Sequence, residues 1–140
     1  MRFRYNDGGR AEAGFKGEAD DCVCRAIAIA TQLPYRDVYN LINRLGKAER
    51  PKKRGQRSSA RNGVYTETLR ATLAELGWTW IPTMGIGTGC TVHLREDELP
   101  SGRLVVQVSR HIVAVINGVV YDKIDPRRGG NRCVYGYWTK

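Results

Sequence analysis

Residues 110–124 read RHIVAVINGVVYDKI. Two β-rich runs meet at Asn117-Gly118, the strongest short-range signal for a hairpin closed by a two-residue type I′ turn. The turn sets a register in which Ile116 faces Val119, Val113 faces Asp122 and His111 faces Ile124. Facing residues share one side of a sheet, so His111 and Asp122 become diagonal neighbours on the same side. Asp125 falls on the other side if the pairing stays regular, and Asp125-Pro126 has the composition of a turn. Around this hairpin the sequence stays β-rich. RLVVQV (103–108), WTWIP (78–82) and CVYGYW (133–138) read as strands. Residues 83–92 contain GIGTG and read as a loop, and HLREDELPSG (93–102) has room for one helical turn.

The N-terminal half is different. Residues 1–20 are polar and glycine-rich and read as an irregular arm. CVCRAIAIATQL (22–33) has no breaker for twelve residues, and Ala26, Ile29, Ala30 and Leu33 recur at helical spacing. An aspartate immediately upstream can cap a helix over about 21–32. Pro34 ends that helix and starts another, in which Val38, Leu41, Ile42 and Leu45 share a face and Gly46 is the stop. YTETLRATLAELG (65–77) is a third helix with a Leu69, Leu73, Leu76 stripe, Thr66 or Thr68 as cap and Gly77 as stop. Helices first and strands afterwards predict an α+β fold, an N-terminal helical layer packed on a C-terminal antiparallel sheet.

Composition sets the outer bounds. At roughly 100–200 residues per domain, 140 residues predict one domain, 1–140. An apolar share of 41% suffices for a core and is too high for a disordered chain. No apolar run approaches a membrane span, and MRFRYNDGGR has no signal-peptide core, so a cytoplasmic protein is expected. In that compartment all four cysteines would be reduced. The net charge is +9. Eight bases and one acid lie between Arg44 and Arg61, so the excess belongs mostly to one basic loop, 47–63, between helices 2 and 3. Lys52, Lys53, Arg54, Arg57 and Arg61 are its candidate contacts for nucleic acid or an acidic protein. No base-stacking motif or DNA-reading helix accompanies them, which argues against sequence-specific readout.

Two residues carry the candidate chemistry. Cys22 stands in the first turn of helix 1, where unpaired N–H groups and the helix dipole favour a thiolate. Asp20 and Asp21 oppose this unless one caps the helix and the other faces solvent. Cys24 lies about 200° around the helix, so Cys22 and Cys24 cannot share a metal. A zinc site from Cys90, His93, His111 and Cys133 would have no compact ligand spacing. His111 opens an apolar strand, and a carboxylate beside it would orient the imidazole and support an imidazolium. An imidazolium beside a thiol at a helix start makes an activated nucleophile.

A cysteine opening the first long helix, a histidine on a later strand and an acid on the next resembles the papain-like cysteine peptidases. The likeness is greatest to minimal bacteriocin-processing domains and to small papain-fold proteins of bacteriophages and prophages. It rests on DDCVCRAIAIA, RHIVAVINGVVYDKIDP and RCVYGYW. The resemblance implies a papain-like fold, with Cys22 as nucleophile, His111 as base and acid, and Asp122, or failing it Asp125, as orienting group. It also implies an oxyanion donor six residues before the nucleophile, where this chain has Lys16 in place of a glutamine.

The expected function is a small cysteine hydrolase that cleaves a peptide, isopeptide or related amide or thioester through an acyl-cysteine, with a protein or peptide as substrate. It needs no cofactor or metal. A phage-encoded version would work in the host cytoplasm. The rival is a non-catalytic phage-type binding protein on the same scaffold, using its basic loop as contact surface.

Overall fold

The computed structural model describes residues 1–49 and 57–140. Strand β1 (Arg2–Tyr5) is followed by helices α1 (Cys22–Thr31), α2 (Tyr35–Lys47) and α3 (Thr66–Glu75). Strands β2 (Thr79–Pro82), β3 (Arg103–Val108), β4 (His111–Ile116), β5 (Val119–Asp122) and β6 (Val134–Thr139) complete the chain, with short 3₁₀ turns at Glu96–Glu98 and Arg128–Gly130. The fold is α+β, with a six-stranded sheet ordered β1-β5-β4-β3-β6-β2.

The hairpin register agrees with the turn chemistry. Ile116 pairs with Val119, Val115 with Val120 and Ala114 with Tyr121, and Asn117 takes the positive φ that a type I′ turn requires. The sheet is mixed, however. Residues 2–5 are not part of an irregular arm; they pair in parallel with β5, Tyr5 opposite Asp122, and Asn6 N–H donates to the Asp122 carbonyl at 3.0 Å. A strand whose partner lies more than a hundred residues away leaves no local signal.

Both faces of the central strands are covered, which is why they are apolar almost continuously. On one side Val105, Ile112, Ala114 and Trp138 meet the helices, and on the other Leu104, Val106, Val113, Val115 and Val120 meet Leu94 and Leu99. Helix α1 lies against the sheet and α2, and every residue from Val23 to Ala30 is buried. It ends where Gln32 turns left-handed, two residues before Pro34.

Several local expectations need correction. Asp21 occupies the position before α1 but its side chain caps nothing, and neither Thr66 nor Thr68 caps α3, which begins after Tyr65. Thr68 is buried and donates to Glu49 instead. Gly46 does not stop α2; it sits inside the helix, where a Cβ would stand 2.4 Å from the Ser58 carbonyl oxygen. Glu49, the one acid of the basic segment, is buried and accepts from the Ser58 N–H at 2.9 Å and the Ser58 hydroxyl at 2.6 Å. The end of the segment is therefore tied to the body. Cys90 and Cys133 form a disulfide across a sequence separation of 43 and are not reduced thiols.

Candidate active site

Cys22 is the first residue of α1 and Arg25 N–H the first to bond back into the helix, to the Asp21 carbonyl at 2.9 Å. The N–H groups of Cys22 and Val23 precede it and have no helical acceptor. The helix start abuts the start of β4, where His111 follows a two-residue turn with Arg110 at φ 57°. The register of β4 with β5 begins only at Ala114, so the first residues of β4 are clear of that ladder. Cys22 and His111 line the same cleft, and the His111 ring and the Ile112 N–H are among the groups that act on the thiol. His111 Nε2 meets Asp122 Oδ2 at 2.5 Å. Since Nε2 is spent on the carboxylate, Nδ1 is the ring nitrogen left for the thiol.

The electrostatics follow from this contact. Burial pushes the Cys22 thiol up, but the His111 hydrogen bond and charge, the Ile112 N–H and the Arg25 charge outweigh it, and the thiol lies below its usual range. Burial pushes His111 down, yet its bonds to Asp122 and Cys22 carry it up to about 9. Burial opposes ionisation of Asp122 too, and His111, the Lys123 N–H and Arg25 overcome it, so its carboxyl is held below its usual value. Together they favour a thiolate–imidazolium pair backed by a carboxylate. Cys24 is the contrast. It is fully buried, donates to the Tyr35 carbonyl at 3.7 Å, and burial pushes it up to about 12.

Behind the three residues lies a buried polar chain that the sequence reading missed. Arg25 bridges Asp21 and Asp122, the latter at 3.2 Å. Asp21 also accepts from the Tyr35 hydroxyl at 2.7 Å, and that hydroxyl accepts from Arg10 at 2.9 Å. The charge of Asp21 is thus neutralised by Arg25, not by a cap, while Asp20 is exposed. The i,i+4 spacing of Asp21 and Arg25 was the available signal. Arg10, in a glycine-rich stretch, gave none.

The remaining candidates part company. Lys16 is exposed and does not line the cleft at Cys22; its carbonyl accepts from Arg10 at 3.2 Å. The side-chain amide in that cleft belongs to Gln107. Asp125 is exposed and bound to Arg127 at 2.7 Å, so it is not the partner of His111. The zinc quartet does not converge: Cys90 and Cys133 are bonded to each other, and His111 belongs to Asp122 and Cys22. Lys52, Lys53 and Arg54 lie outside the described residues. Arg57 Nε donates to the Glu49 carbonyl at 3.1 Å and Arg61 to the Glu18 carbonyl at 3.3 Å. The Asp20 N–H donates to the Arg61 carbonyl at 2.8 Å, and Gly63 and Val64 line the cleft. The end of the basic segment, remote in sequence, thus borders Cys22.

The cleft has a volume of about 490 Å³ and runs between the start of α1, residues 63–69 and the β3–β4 turn. No helix among the described residues is long and apolar enough to cross a membrane. No protein-family model matches this sequence, and comparisons with curated proteins and with solved structures likewise return no match.

Proposed function

We propose that this chain is a small papain-like cysteine hydrolase, cleaving a peptide, isopeptide or related amide or thioester. The observation that carries the reading is that Cys22 and His111 line one cleft, with Asp122 on the imidazole at 2.5 Å, the thiol lowered and the imidazole raised. The Cys22 sulfur attacks the carbonyl carbon and forms a C–S bond, and the carbonyl electrons move to oxygen. The Cys22 and Val23 N–H groups and the Gln107 amide are the donors available to that oxyanion. Collapse breaks the C–N bond while the His111 imidazolium gives its proton to the leaving nitrogen. Neutral His111 then takes a proton from water, the hydroxide attacks the thioester, and the thiolate departs, restoring the ion pair. Asp122 holds the ring and its charge throughout, and Arg25 holds Asp122.

Iodoacetamide at pH 6–7, with labelled peptides mapped by mass spectrometry, tests the nucleophile. Cys22 is expected to react at least tenfold faster than Cys24, and His111→Ala to remove most of that advantage. Equal labelling of the two free thiols, measured in the folded protein, would overturn the reading.

A further inference from the structure

A second cleft of about 600 Å³ opens beyond His111 and shares Ala19, Arg25, Arg110 and His111 with the first. The two are arms of one groove with the imidazole between them. Both carry Arg25 and Arg110; the first adds Val23, Val64, Leu69 and Ile112, and the second adds Lys123, Arg128 and Arg132. Its two acids are engaged already, Asp122 by His111 and Arg25 and Asp125 by Arg127.

No side chain among the described residues pairs with Arg110, Lys123 or Arg128. Arg132 is half-buried. It donates through one Nη to the Ser109 carbonyl, and its buried Nε has no hydrogen-bond partner. Burial and the neighbouring charge of Arg128 both weaken its hold on its proton. Basic side chains gathered with no ion-pair partner of their own among the described residues make a surface that gains from an incoming anion.

We infer that the arm beyond His111 binds the leaving side of an acidic peptide, through carboxylates that Arg110, Lys123, Arg128 and Arg132 receive. The direction comes from chemistry. His111 must reach the leaving nitrogen to protonate it, so the departing fragment lies on the His111 side of the sulfur and the acyl fragment in the first arm. A nucleic acid is the lesser fit, because no Phe, Tyr or Trp lines this arm to serve as a stacking platform for successive bases. The inference rests on Cys22 being the nucleophile, and the experiment separates the two.

Two chloroacetyl peptides serve as probes, one carrying three aspartates and the other three glutamines. Their rates of Cys22 alkylation are compared at low salt. The aspartate probe is expected to react about tenfold faster, the advantage shrinking as salt rises. Arg128→Gln/Arg132→Gln brings the ratio most of the way to one. Arg2→Gln/Arg70→Gln removes the same charge from exposed positions outside the groove and keeps the ratio. A Cys22 that reacts rapidly and equally with both probes overturns this inference alone. A Cys22 that reacts with neither overturns the nucleophile reading and this inference with it. A ratio that survives Arg128→Gln/Arg132→Gln, or protection of Cys22 by a thymidine oligomer but not by a glutamate peptide of equal charge, also overturns it.

Discussion

His111 is the residue on which the site turns. Asp122, bonded to the ring, and Cys22 both favour its charged form against the pull of burial, so its pKa climbs to about 9 from an ordinary value of about 6.5. A raised imidazole adds stability that is complete below about pH 6.5 and disappears as pH rises through about 9. Asp122, lowered, adds stability above the ordinary carboxylate value and loses it in acid. The proposed hydrolysis needs the imidazolium to protonate the leaving group, so its alkaline limb should fall near pH 9. Asp122→Asn removes the charge and should move that limb down toward pH 6.5. NMR titration checks this directly, since the chain has only two histidines. An unmoved His111 titration in the variant would mean that the carboxylate does not support the imidazolium. His111 and Asp122 could be brought together from sequence because a two-residue turn has strict geometry, whereas Cys22 joined them only through the family resemblance. Gln107 could not, since a lone amide in an apolar strand looks like any polar interruption.

Among the elements, the three helices and the central hairpin were legible, because their periodicity and punctuation are local. Helix α2 shows where that reading fails. Gly46 looked like a terminator, yet α2 continues to Lys47 and the glycine makes room for the Ser58 carbonyl. The close approach lets Glu49 reach Ser58 and Thr68, so α2, the end of the basic segment and α3 share one buried carboxylate. Gly46→Ala improves helix propensity and nevertheless should destabilise the fold by about 1–3 kcal/mol through overpacking. Urea denaturation measures it, and a variant as stable as the parent would show that the Ser58 backbone yields at little cost. Strand β1 escaped detection for the opposite reason, since its partner among the described residues is β5, more than a hundred residues along the chain.

At the scale of the molecule, charge and cysteine counts were the least faithful guides. Counting placed the basic excess in one segment, but folding gathers Arg110, Lys123, Arg128 and Arg132 from a stretch that looked nearly balanced. Counting also left four equivalent thiols, whereas two are joined far apart in sequence. In the chain-entropy picture that bond contributes about 4 kcal/mol. Cys90→Ser/Cys133→Ser should therefore lower Tm by roughly 10 °C while leaving Cys22 labelling in the folded protein intact. Calorimetry and mass spectrometry read the two effects, and an unchanged Tm would mean that the loop is already ordered without its bond. The polar chain from Arg10 to His111 has its own consequence. During synthesis Cys22 emerges 89 residues before His111 and 100 before Asp122, an interval of roughly 5–20 s at ordinary translation rates. Through that interval it is an unactivated thiol. On the proposed reading the thiol is activated only once the strands that carry His111 and Asp122 have been made and have folded, so the nascent protein passes through the crowded exit region chemically quiet.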